Sequence, residues 1–141
     1  MINDNVKLGE LFDILSEDID VKCPLDEWYK ALINKRIKDL NINDICKMLR
    51  QGIFVEIAIK KAIEILKQNP KTGDFYDGQL IKSICAIDFS EYKQYLAKMK
   101  EVLMHIENTM NGDSWLIEQD FEEYINNIHK LLNTINNSSN I

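Results

Sequence analysis

Cys23, Cys46, Cys85, His105 and His129 are the side chains of this 141-residue sequence best suited to hold a metal or to attack an electrophile. Structural metal sites take such ligands in pairs separated by roughly two to five residues. No two of these five come so close, so no metal and no other cofactor is expected. A cysteine nucleophile can draw its histidine from far away in the chain. Both histidines, however, lie in the last third, and each cysteine has apolar neighbours in a helical pattern, which suits buried thiols in a reducing compartment. The expectation is a protein that is not an enzyme.

Residues 71–78, KTGDFYDG, set two glycines five apart, as a phosphate-cradling loop might. The phosphate loop needs a lysine and then a hydroxyl residue directly after its second glycine, and Gln79 and Leu80 stand there instead. Asp74 and Asp77 offer two carboxylates, but a general acid and a general base need unlike environments, and nothing in the sequence separates these two. Asp77 is better placed as the cap of the helix that follows.

Charge is the one unusual distribution. The net charge of −6 is concentrated in the second half, and between Lys100 and Lys130 lie Glu101, Glu107, Asp113, Glu118, Asp120, Glu122 and Glu123 with no Lys or Arg among them. A chain this acidic is a poor direct ligand for nucleic acid, which needs cations for its phosphates. A solvated helix face is the ordinary explanation, helped by the helix dipole near Asp113 and Glu118. Yet Glu118 and Glu122 stand one turn apart, where like charges cost about 0.2–0.5 kcal/mol, and a face kept for a cationic partner is the alternative.

The elements that carry these residues are helical. Apolar residues recur at helical spacing almost throughout, with no sustained two-residue alternation, which predicts an all-α domain of about six or seven helices. Leu8, Leu11, Phe12 and Leu15 mark the first, ahead of the acids Glu17, Asp18 and Asp20. Cys23-Pro24 opens a second, with proline in its first turn and Leu25, Trp28, Tyr29, Leu32 and Ile33 toward the core. Asn43 caps a third that ends near Leu49, and Gly52 permits a break. In the helix of residues 53–68, IFVEIAIKKAIEILKQ, the fourteen positions from Ile53 to Leu66 leave only Glu56, Lys60, Lys61 and Glu64 as a polar stripe, so this helix should be central, and Pro70 ends it. In the loop beyond, Gly73 turns the chain and Phe75 and Tyr76 pin the corner. A short fifth helix follows, capped by Asp77 with Gly78 in its first turn, and carrying Leu80, Ile81, Ile84 and Cys85.

The last third predicts a long hairpin. Its first stripe is Tyr92, Tyr95, Leu96, Met99, Val102, Leu103, Ile106 and Met110; its second is Ile117, Phe121, Tyr124, Ile125, Ile128, Leu131, Leu132 and Ile135. Residues 111–114, NGDS, supply Gly112 for a C-cap and Asp113 or Ser114 for an N-cap. Residues 1–135 are expected to form one domain and residues 136–141 a disordered tail. No apolar run approaches the length of a membrane span, and the opening MINDNVKLGE lacks the basic start and apolar core of a secretory signal, so a cytoplasmic location is expected.

One stretch, from Cys23 to about Tyr95, resembles the immunity proteins of bacterial contact-dependent growth inhibition systems. The residues that carry it are CPLDEWYKALINKRIKDLNINDICKMLRQGI, then AIKKAIEILKQNP, then GDFYDGQLI, in that order. Gln79 departs from that pattern, as do Lys60 and Lys61, and the hairpin beyond Met99 has no counterpart in it. The resemblance implies an inhibitor, monomeric when free, that binds the carboxyl-terminal toxin domain of a large effector. If the toxin is a nuclease with a cationic site, Asp113, Glu118, Asp120, Glu122 and Glu123 become the expected contact, with Trp115 as an apolar anchor. The alternative is a helical scaffold or regulatory subunit that oligomerises through the hairpin.

Overall fold

A computed structural model describes residues 4–73, 77–112 and 115–139. The protein is all-α: the described residues form seven α-helices and four short 3-10 turns, with no strand among them. The chain divides between Asp44 and Ile45 into two compact units.

In the first unit, residues 4–8 run antiparallel to residues 35–38. Leu8 N–H donates to the Lys35 carbonyl at 3.0 Å, Ile37 N–H to Val6 at 3.1 Å and Lys38 N–H to Asp4 at 2.9 Å. Helix α1, Leu8–Leu11, is only one turn long. Ile14 N–H reaches back to the Gly9 carbonyl at 2.8 Å, with Asp13 at φ 55°, a Schellman ending in which an aspartate takes the left-handed position. The expected stripe therefore breaks: Leu8 is buried, while Leu11, Phe12 and Leu15 are 39%, 44% and 57% exposed. Gly9 is needed for packing, since a Cβ there would lie 2.7 Å from the Ile14 carbonyl oxygen and 3.0 Å from that of Ile33.

Helix α2, Pro24–Ile33, starts as its proline predicts, with Cys23 at the N-cap. Cys23 is exposed there and is not the buried thiol expected; Leu25, expected in the core, is exposed too, because the first turn of α2 faces solvent. Helix α3, Ile42–Gln51, is capped by Asn41, two residues before the Asn43 expected. Asp44 N–H donates to Asn41 Oδ1 at 2.8 Å and Asn41 N–H to Asp44 Oδ2 at 3.2 Å, a reciprocal capping box. Asp44 is 1% exposed and also accepts from Trp28 Nε1 at 3.0 Å and Lys35 Nζ at 2.6 Å.

In the second unit, Gly52 at φ 68° ends α3, and Ile53 N–H donates to the Met48 carbonyl at 2.9 Å. Helix α4, Val55–Gln68, buries Ile57, Ala58, Ile59, Ala62, Ile63 and Leu66 and stops two residues before Pro70. The corner that follows is closed at its neck by Gly78 N–H to Lys71 O at 2.7 Å and Leu80 N–H to Thr72 O at 3.0 Å. Phe75 and Tyr76, expected to pin this corner, lie outside the described residues, as does Asp74.

Helix α5, Gln79–Ile84, has Gly78 as its N-cap at φ 85° and no side-chain cap. The expected cap, Asp77, instead pairs with Lys71 at 3.4 Å, because the backbone bonds of the neck already close the loop. Two 3-10 turns lead into α6, Leu96–Thr109, which packs on α4 and on α7, Glu118–Ser139; α7 also packs on α5. The stripes of the hairpin meet here: Leu96, Met99, Val102, Leu103 and Ile106 from α6, and Tyr124, Ile128, Leu131, Leu132 and Ile135 from α7, are buried. Gly112 does not cap α6, whose C-cap is Met110. It sits under a ring, where a Cβ would come 3.2 Å from Phe121 Cδ1. No helix among the described residues is long and apolar enough to cross a membrane.

Candidate functional site

The expected contact falls at the start of α7 and the loop before it. Asp113 and Ser114 lie outside the described residues. Trp115 is packed inward. Its ring centroid is 4.9 Å from that of Tyr124 and 5.9 Å from that of Phe121, and Lys71 Nζ stands 4.8 Å from it on its face. The indole Nε1 is buried without a hydrogen-bond partner among the described residues. Trp115 therefore joins the loop to α7, and the apolar side chains presented to solvent are its neighbours: Leu116, fully exposed, and Ile117, 57% exposed. Sequence periodicity put Ile117 in the core stripe. Its failure to pack follows from the helix starting at Glu118, three or four residues later than the expected cap at Asp113 or Ser114 would start it.

Glu118, Asp120, Glu122 and Glu123 are all exposed along the first turns of α7. Glu118 and Asp120 lie where the helix dipole favours negative charge. A small cleft of about 100 Å³ between α5 and α7 brings Asp120 and Glu123 together with Asp77 and Lys82. Of the three carboxylates in the cleft, Glu123 pairs with Lys82, whose Nζ is 3.5 Å from Oε1, and Asp77 with Lys71 at 3.4 Å. Its rim is anionic, and the exposed Leu116 and Ile117 immediately precede the acids in sequence.

The remaining chemistry-bearing groups are structural in their surroundings. Cys46 is wholly buried. Burial pushes the Cys85 thiol up, against the pull of Lys130 and Lys82, and its Sγ lies 4.0 Å from the Asn127 carbonyl, so it is not an activated nucleophile. His129 Nε2 is 3.0 Å from Glu107 Oε2, joining α7 to α6, and His105 is exposed. Among the described residues no three His, Cys, Asp or Glu side chains are arranged to hold a metal ion. The arrangement can therefore offer a partner charge and a small apolar surface.

No curated protein matches the chain. The sequence profile of the family described as CDI immunity proteins matches residues 13–102, which contain the whole of the stretch from Cys23 to Tyr95 and stop short of α7. Since that match spans well over half of the sequence, the chain belongs to the family of CDI immunity proteins.

Proposed function

We propose that this protein neutralises a nuclease toxin by laying the acidic start of α7 against the cationic cleft in which the toxin holds phosphate. Membership of the family gives the coarser statement, an immunity role against a CDI toxin. The observation that carries the finer one is the juxtaposition at the head of α7: Leu116 and Ile117 exposed, followed at once by Glu118, Asp120, Glu122 and Glu123. Carboxylates in such a patch speed encounter with a basic partner and disfavour acidic ones, while the apolar pair supplies area that leaves water on binding. The inhibitor acts in the cytoplasm as a monomer when free, and needs no catalytic group of its own.

The alternative, a scaffold that oligomerises through the hairpin, has less support. The stripe it would use is already buried by α6, α7 and α5 of the same chain. Co-expression with the toxin domain encoded immediately upstream tests the proposal. Cells carrying both should grow, and equal killing with and without this protein would sink it.

A further inference from the structure

Asn111-Gly112 is the sole asparagine–glycine pair of the sequence, and every other asparagine precedes a residue with a side chain. Asparagine is a thermolabile residue. Its side-chain amide carbon can close a five-membered ring with the next backbone nitrogen, and a side chain on that next residue obstructs the closure. Glycine removes the obstruction. Both residues of this pair are exposed and lie beyond Thr109, the last residue of α6.

Asp77-Gly78 is the related pair elsewhere in the chain, and its surroundings differ. There the glycine is the N-cap of α5, and its N–H donates to the Lys71 carbonyl at 2.7 Å, which holds the nitrogen away from the preceding side chain. The Gly112 N–H donates to no group among the described residues, while its carbonyl accepts from Trp115 N–H at 3.1 Å. Position 112 has its own reason to be glycine. A Cβ there would press on the Phe121 ring at 3.2 Å, so the packing of α7 favours the residue that leaves Asn111 reactive.

We propose that Asn111 is a site of spontaneous deamidation in the folded protein, by way of a cyclic imide with Gly112. The Gly112 nitrogen bonds to Asn111 Cγ and gives up its proton, the Cγ–Nδ2 bond breaks, and ammonia leaves with that proton. Water then opens the ring. Attack at Cγ gives aspartate with the main chain unchanged; attack at the main-chain carbonyl carbon gives isoaspartate, in which the chain runs through Cβ and Cγ and is one carbon longer. Either product adds a negative charge to a chain already at −6. The longer main chain falls directly before the Gly112–Trp115 turn, which leads Trp115 to its place against Phe121 and Tyr124. Deamidation therefore reaches the head of α7, and it does so whether or not the neutralising role holds.

Incubation of the purified full chain in mildly alkaline buffer made with heavy-oxygen water, followed by peptide mapping with mass spectrometry, tests the site. Asn111 should exchange its amide for a labelled carboxylate about tenfold or more faster than any other asparagine. Folding should slow the exchange by no more than about tenfold relative to the chain in urea, since a connection outside the helices opens at little cost. Isomerisation of Asp77 should instead be held back about a hundredfold or more in the folded chain and released in urea, because its glycine nitrogen is hydrogen-bonded. Asn111→Gln, whose ring would need six members, should stay intact. Asn111→Asp carries the charge without the longer chain, so its tryptophan fluorescence should match the parent's while that of the isoaspartate form shifts. An Asn111 that converts in urea and survives in the folded chain overturns the proposal, as does conversion no faster than that of the other asparagines. Parent-like fluorescence of the isoaspartate form overturns the link to Trp115.

Discussion

The Tyr124 hydroxyl donates a 2.7 Å hydrogen bond to the carbonyl oxygen of Pro70, tying the middle of α7 to the turn that ends α4. The two residues are far apart in sequence, and the phenol is otherwise enclosed: its ring lies against Trp115, and its burial pushes its pKa well above the ordinary tyrosine value. Tyr124→Phe keeps the packing and leaves the Pro70 carbonyl without its donor. Chemical denaturation should show a loss of about 1–2 kcal/mol with an unchanged denaturant slope, because one partly buried acceptor is left unsatisfied.

Asp44 is the polar centre of the first unit. It closes the capping box with Asn41 and gathers Trp28 Nε1 and Lys35 Nζ onto one carboxylate that is 1% exposed. Asp44→Ala removes all three acceptor roles, and we expect a loss of about 3 kcal/mol or more, since an indole N–H and an ammonium are left without their acceptor. Asp44→Asn keeps an acceptor for Trp28 and should lose clearly less. Equal losses in the two variants, measured by urea unfolding, would mean that shape at this position matters and the hydrogen bonds do not.

How much of this was legible in the sequence turns on single residues. The same Schellman ending closes α1 and α3. At α3 a glycine, Gly52, takes the left-handed position and announces the break; at α1 it is Asp13, and helical periodicity carried the reading on through Leu15. Proline at the first turn of α2 gave its start directly. Asp77 looked like a cap because carboxylates cap helices, but the loop is closed by backbone bonds made by Gly78 and Leu80, which no side-chain pattern encodes. At the candidate surface the acidic run was visible as composition. Which of Trp115, Leu116 and Ile117 faces outward was not, because it depends on where α7 begins and on the rings of Phe121 and Tyr124 that hold Trp115.

Gly78 carries two requirements at once. Its φ is 85°, a conformation that costs an L residue energy, and an added Cβ would stand 3.0 Å from Tyr124 Cδ2. Gly78→Ala should destabilise by about 1–3 kcal/mol from the backbone strain, with the displaced Tyr124 ring adding to it. Gly52 is also at positive φ, but nothing lies within 4 Å of a Cβ there. Gly52→Ala should therefore lose less in thermal unfolding, and a larger loss at Gly52 would refute the packing argument.

Stability at high pH should report on Tyr95. Burial, reinforced by the 2.6 Å hydrogen bond its hydroxyl donates to Glu56 Oε1 and by that carboxylate's charge, pushes the phenol from 10.0 up to about 12. A raised pKa means that the folded state holds the proton more tightly. Below pH 10 both states keep it and the contribution is complete; between pH 10 and about 12 the unfolded chain releases it first, and stability falls. Tyr95→Phe has no proton to lose. Urea unfolding across that range should show a shallower fall for Tyr95→Phe than for the parent, and parallel curves would refute the assignment.

Reversing Glu118, Glu122 and Glu123 to Lys separates binding from folding at the head of α7. The structural cost is small for each. Glu118 loses a favourable dipole interaction of about 0.3–1 kcal/mol. Glu123 loses an ion pair with Lys82 in which both side chains are more than half exposed, a kind worth roughly 0–1 kcal/mol. Helical circular dichroism should therefore stay close to that of the parent. Binding should not: a basic toxin surface that gained from these carboxylates now meets ammonium groups, so association slows and the remaining rate rises with salt where the parent's falls. Leu116→Ser gives the complementary signature, an unchanged salt dependence with faster dissociation, because it removes apolar area and no charge. If the triple reversal leaves association and its salt dependence as they were, the acids of α7 are a solvated face, and the toxin meets the protein elsewhere.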